Sequence, residues 1–179
     1  SNWNVSNVTS MTQMFYGASS FNQNINTKAV TKGNVFIYNA WDVSNITTMN
    51  SMFRGAEKFN QSINNWNVSN VTNMEYMFYE ASSFDQPLEW YVSNVTNMEY
   101  MFYKASSFNQ PLNWWQLSNL KDTGMVAMFY GASSFNQPLN EWNVSNVEDM
   151  EHLFDDSNLS SYNYDSTLIG WSKQNVQSG

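Results

Sequence analysis

The sequence contains no cysteine, a single histidine and three prolines, and none of its apolar runs approaches the roughly 20 residues a membrane helix needs. Without cysteine there can be no disulfide, no thiolate metal site and no cysteine nucleophile. One histidine and no cysteine cannot assemble a nucleophilic triad or a zinc site of the usual ligands. Charge is scarce as well: 12% of residues are charged, with fifteen Asp and Glu against seven Lys and Arg. An acidic chain is a poor match for phosphate backbones and for anionic membrane surfaces, so neither nucleic-acid binding nor docking on such a membrane is expected, and the short apolar runs argue against membrane insertion. Carboxylate pairs could still support glycosidase-type chemistry. No two acids recur in a cleft-like setting, however, and the expectation is that the chain is not an enzyme and carries no cofactor or catalytic metal.

Aromatic side chains and asparagine are abundant, and they are periodic. The pattern Trp-x-Val/Leu-Ser-Asn-Val/Ile/Leu begins at Trp3, Trp41, Trp66, Trp90, Trp115 and Trp142, at spacings of 38, 25, 24, 25 and 27. The first spacing is one repeat plus thirteen inserted residues between Ile25 and Trp41, and the last is one repeat plus two, around Lys121-Asp122-Thr123-Gly124. A second block, Met-x-x-Met-Phe-x-x-Ala-x-x-Phe-Asn-Gln, follows each Trp block. All eleven methionines and eleven of the twelve phenylalanines fall in its columns, a register that chance does not produce. A period of this length marks a stacked array, in which one copy cannot bury its apolar face alone.

Within one copy, Val71, Met74, Phe78 and Ala81 lie at i, i+3, i+7 and i+10, which predicts one face of a helix. Thr72 with Glu75, and Thr96 with Glu99, read as capping boxes at its start. Pro87, Pro111 and Pro138 then forbid helix, and Leu112, Trp115 and Leu117 fit a short strand entering the next coil. The Phe and Met columns form the expected core. The Ser-Asn step, as at Ser69-Asn70, is the expected polar ladder from coil to coil, because a buried amide must be satisfied. The inserted stretch, about residues 27–39, has two β-rich runs around Gly33-Asn34 and predicts a projecting hairpin that carries Lys28 and Lys32. The repeat is expected over residues 1–161, and residues 162–179 should cap it through Leu168, Ile169 and Trp171. Ser1-Asn2-Trp3 begins in mid-pattern, so an open first coil and end-to-end association through it are further expectations.

The blocks Trp66-Asn67-Val68-Ser69-Asn70-Val71-Thr72-Asn73-Met74 and Met77-Phe78-Tyr79-Glu80-Ala81-Ser82-Ser83-Phe84 resemble the BspA-type leucine-rich-repeat-like family of bacterial surface proteins, and in particular its branch in mycoplasma, lactobacilli and Bacteroidetes. The resemblance spans nearly the whole chain, and the segment from Tyr164 to Trp171 resembles the closing segment of such arrays. It implies a solenoid; together with the repeat count and the insertion, the expected fold is an α/β, right-handed leucine-rich-repeat-like solenoid of about six strand–turn–helix coils with one inserted β-hairpin. It also implies an extracellular, cell-surface setting, with adhesion to host proteins or cells in some members and no single ligand; the expectation drawn for this chain is recognition of a protein or glycan partner, with a passive spacer or stalk as the alternative. It brings no catalytic residue.

Candidate binding residues come from the tyrosines. Tyr16, Tyr79, Tyr103 and Tyr130 follow the core Phe, with Arg54 and Asp155 in the same column, and Tyr76 and Tyr100 precede the core Met. Two readings stand: an exposed stripe that meets a protein or sugar partner, or rings that stack on one another as cladding of a passive spacer. The acids Glu148, Asp149, Glu151, Asp155 and Asp156 also have two readings, a calcium site or acids favoured near a helix start and for solubility. His152, the lone histidine, reads as a surface residue.

Overall fold

The computed structural model describes residues 2–174. Residues 175–179 of the expected capping segment, and Ser1, lie outside the described residues. The repeats stack coil on coil, but the coils are not built from strand, turn and helix. The only elements among the described residues are the strands β1 (Lys28–Lys32) and β2 (Val35–Ala40) and one helix, α1 (Ser161–Trp171). The expectation of an α/β solenoid of strand–turn–helix coils is therefore wrong, and the hydrogen bonds show why.

From Met74 to Phe84 the amides alternate in direction. Met77, Tyr79, Ala81 and Phe84 donate to the carbonyls of Met74, Tyr76, Phe78 and Ala81, three residues back, which closes successive turns. Met74, Tyr76, Phe78 and Glu80 donate instead to Asn97, Glu99, Met101 and Tyr103 of the next coil, at 2.8–3.0 Å. An α-helix needs each amide for its own i−4 carbonyl; here every second amide serves the neighbouring coil. Two residues per coil also adopt left-handed backbone, which a helix excludes. One such column is Gln13, Ser51, Tyr76, Tyr100, Ala127 and His152 (φ 49–59°), and the other is Gly17, Gly55, Glu80, Lys104, Gly131 and Asp156 (φ 53–70°).

The expected capping boxes are not formed either. Thr72 Oγ1 donates to Thr47 O at 3.2 Å, Thr96 Oγ1 donates to Thr72 O at 3.1 Å, and the Glu75 and Glu99 amides donate to the side chains of Asn73 and Asn97. Short Asn side chains compete in this way with helix formation. The strand expected at Leu112–Leu117 is a turn, closed by the Trp115 amide on Leu112 O. Strand pairing between coils shrinks to single parallel bridges such as Thr48↔Asn73 and Asn73↔Asn97.

The core is the stack of columns itself. The rings of Phe53, Phe78, Phe102 and Phe129 lie 5.5–5.6 Å apart and nearly parallel, and each meets the second Phe of its own coil at 4.0–4.1 Å. These separations suit offset stacking, and the Met columns fill the space around them. Trp66, Trp90, Trp115 and Trp142 are buried, and each Nε1 donates to a carbonyl of the coil before, on Ile25, Ile63, Leu88 and Leu112.

Asparagine supplies the polar seams. Asn45, Asn70, Asn94, Asn119 and Asn146 each donate Nδ2 to the Ser carbonyl one coil back, on Ser6, Ser44, Ser69, Ser93 and Ser118, at 2.6–2.9 Å. In a second seam, Oδ1 of Asn22, Asn60, Asp85 and Asn109 accepts both a backbone amide and a Gln Nε2 from the following coil. Among the described residues no buried side-chain polar atom lacks a partner.

β1 and β2 pair antiparallel around Gly33-Asn34 and form a hairpin, with Val35, Phe36 and Ile37 exposed. Helix α1 closes the other end. Ser160 is its N-cap. Asn163 takes the place of the seam Gln and donates to Asn136, while Thr167 Oγ1 accepts the Leu139 amide. Trp171, buried, stacks on Phe154 at 6.4 Å. Leu168 and Ile169 are exposed, so the covering falls to Thr167 and Trp171.

Candidate functional site

Left-handed backbone at Tyr76 and Tyr100 turns these rings towards the rings of Tyr79 and Tyr103, and the structure brings five of the six candidate tyrosines together. Tyr79, Tyr103 and Tyr130 form one file, with ring separations of 4.6 and 4.8 Å and interplanar angles of 3° and 10°. Tyr76 and Tyr100 form a parallel file at 4.8 Å, and the two files meet at a tilt of 55–58° with ring separations of 5.7–5.8 Å. Tyr16 does not stack into either file. It is 53% exposed and is linked through the Arg54 guanidinium, which lies 5.6 Å from the Tyr16 ring, 4.9 Å from Tyr76 and 4.3 Å from Tyr79. An Arg in this position adds cation–π attraction where a further Tyr would add only a ring. Lys104 lies 5.3 Å from the Tyr103 ring. The stacked tyrosines are half-buried: their faces cover one another and their edges meet solvent.

The electrostatics follow from this packing. Partial burial, followed by the negative charge of Glu75, raises the Tyr76 phenol above its ordinary value, and burial and Glu80 do the same for Tyr79. Beside the files, burial and then Glu99 one coil on raise the Glu75 carboxyl, although Asn73 and Asn50 bond to it and oppose the shift. At the far end, Asp156, near and hydrogen-bonded to Tyr130, raises that phenol. The ring of His152 meets Tyr130 edge-on at 6.3 Å.

The acidic stretch is part of this end of the stripe. Asp149 accepts the Glu151 amide, Asp155 Oδ2 lies 2.7 Å from His152 Nδ1, and Glu151 lies 3.6 Å from His152 Nε2. Among the described residues, no three His or acidic side chains converge as a metal ion would require.

A second surface feature has no counterpart among the tyrosine files. Tyr91 is 83% exposed and Trp114 is 45% exposed, and they flank a cleft of about 560 Å³ lined also by Glu89, Trp90, Val92, Ser93 and Gln116. Both positions are Asn in the third coil, at Asn67 and Asn65. That departure from the repeat is the sequence signal that marks them. Arg54 carries a similar signal, as the one basic residue in the Tyr column.

No helix among the described residues is long and apolar enough to cross a membrane. No curated protein and no solved structure matches the chain. A family model does match, over three overlapping stretches, residues 1–39, 27–126 and 121–178. The repeat that these coils are built from is therefore a bacterial one, and the chain belongs to the family described as Mycoplasma protein of unknown function, DUF285.

Proposed function

We propose that the chain is an extracellular, cell-surface recognition module that presents its tyrosine face to a partner. The observation that carries this reading is the continuous band from Tyr16 through Arg54 and the two stacked files to Tyr130 and His152. Aromatic and Arg side chains at a surface are the usual anchors of protein–protein contacts. The rings are held by stacking before any partner arrives, so little side-chain entropy remains to be lost on binding. Because their faces are covered, the files offer edges and phenol groups, which suits a protein surface better than the apolar face of a sugar. The resemblance of the repeat blocks to BspA-type surface proteins supports the adhesive setting. No catalytic role is proposed.

A passive spacer is the second reading, and the mutual covering of the ring faces is the observation that favours it. Adhesion to cells separates the two. Beads coated with the chain should adhere to cultured epithelial cells more than beads coated with a folded Tyr79→Ser/Tyr103→Ser/Tyr130→Ser variant. Equal retention of the two would assign the files to cladding.

A further inference from the structure

Tyr91 and Trp114 are the two aromatic residues at the positions flanking the column Trp, which otherwise hold Asn, Asp, Glu, Gln or Ala. The residue after the column Trp is Asn4, Asp42, Asn67, Tyr91, Gln116 and Asn143 in successive coils, and the residue before it is Asn2, Ala40, Asn65, Glu89, Trp114 and Glu141. The substitutions fall in adjacent coils and on opposite sides of the column, so the two rings flank one cleft. Neither ring stacks on another aromatic ring, and neither the Trp114 indole N–H nor the Tyr91 hydroxyl has a hydrogen-bond partner among the described residues. This contrasts with the tyrosine files, where faces are covered, and with Trp66, Trp90, Trp115, Trp142 and Trp171, whose indole nitrogens are all engaged.

The polar groups of the cleft are positioned. The Glu89 amide donates to Asn64 Oδ1 at 2.7 Å, and Glu89 Oε2 accepts from Asn64 Nδ2 at 3.2 Å, which fixes the carboxylate and leaves Oε1 for a ligand. Gln116 Nε2 reaches the Trp114 carbonyl at 3.3 Å, so its amide oxygen is available. Two exposed aromatic residues, an indole donor and a carboxylate acceptor around a cleft of about 560 Å³ fit the size and the mostly apolar lining of a small-molecule site. A pyranose matches this arrangement, with an apolar C–H face for the rings and hydroxyls for Glu89 and Gln116. Glu89 and the net charge of −8 repel acidic sugars.

We propose that the cleft between Tyr91 and Trp114 binds a neutral saccharide, a disaccharide or the end of a longer chain. This goes beyond the recognition reading of the tyrosine face and stands independently of it.

The test is calorimetric titration of cellobiose, chitobiose, lactose and maltose into three chains: the parent, a Tyr91→Asn/Trp114→Asn variant that restores the Asn of the third coil, and the Tyr79→Ser/Tyr103→Ser/Tyr130→Ser variant. The proposal expects at least one disaccharide to bind the parent, at least about tenfold weaker binding to the cleft variant, and unchanged binding to the file variant. Glu89→Gln should weaken binding with no change in the thermal unfolding midpoint, and it decides the matter if the cleft variant does not fold. No binding of any of the four by the folded parent would overturn the proposal, as would equal binding by the cleft variant or loss in the file variant alone. Binding of tetramethylammonium in place of the sugars would also overturn it, because the aromatic pair would then be serving a cation.

Discussion

Trp171 Nε1 donates to the Leu139 carbonyl at 2.9 Å, the same bond that Trp142 makes to Leu112 one coil earlier at 2.8 Å. The closing helix thus extends the Trp column although it has abandoned the coil backbone. Beside it, Gly170 sits where a Cβ would come within 2.2 Å of the Asn140 carbonyl oxygen. Glycine inside a helix costs about 1 kcal/mol relative to alanine, and the close approach of Asn140 accounts for it here. Trp171→Ala should destabilise the chain by about 3–5 kcal/mol and Gly170→Ala by about 1–3 kcal/mol, read from urea unfolding midpoints. A neutral or stabilising Gly170→Ala would mean that α1 is not seated on the last coil.

The second Asn seam makes an uneven prediction. Asn109 Oδ1 accepts from the Asn136 amide and from Gln137 Nε2, whereas Asp85 does the same work one coil earlier with a carboxylate. Asn109→Ala strands the partly buried Asn136 amide, while Gln137 Nε2 keeps its 3.0 Å bond to the Asn109 carbonyl, and should cost about 1–3 kcal/mol. Asn109→Asp keeps both acceptors and should cost less than half as much, by the same unfolding measurement.

Left-handed backbone at non-glycine residues is a reserve of stability. Glu80 has φ 55° in a column that Gly17, Gly55 and Gly131 also occupy. Strain there is worth about 1–2 kcal/mol, and the added freedom of glycine in the unfolded chain returns about 0.4–1 kcal/mol of it. Glu80→Gly should therefore stabilise by about 0.5–1 kcal/mol net, visible as a raised thermal midpoint.

His152 offers a pH test at a single resonance. Its hydrogen bond to Asp155 is the main cause that lifts its pKa above the ordinary 6.5, with Glu151 and Asp149 adding to it. A raised folded pKa means that the pairing stabilises fully below the unfolded value of 6.5 and fades as pH rises through the folded value. Titration followed by NMR should give a midpoint above 6.5 in the parent, and Asp155→Asn should lower it.

The columns were readable from the residues because stacking forces identical positions to meet. The Phe and Met core follows from it, and so does the Ser-Asn ladder, although its Asn side chains lie at the exposed edge of the stack and not buried inside it. The expected helix is absent for a physical reason. Val71, Met74, Phe78 and Ala81 all turn inward, and a run of three-residue turns produces the same spacing as a helix face. The destination of the Met74, Tyr76 and Phe78 amides and the left-handed backbone at Tyr76 and Glu80 separate the two, and the only sequence trace of either is the glycine at positions 17, 55 and 131 of the second left-handed column. Trp171 escaped the repeat register because a helix, not a coil, delivers it to its column. Tyr91 and Trp114 were hidden by the strength of the repeat, which draws attention to what recurs rather than to what departs from it.

Recognition of a partner by the tyrosine face can be read from an array of extracellular-matrix proteins and glycans probed with the parent beside the Tyr79→Ser/Tyr103→Ser/Tyr130→Ser variant. The parent should bind at least one matrix protein, and the variant, shown by its unfolding curve to be folded, should lose that binding. A folded parent that binds no matrix protein on the array, or a variant that binds as the parent does, would contradict it.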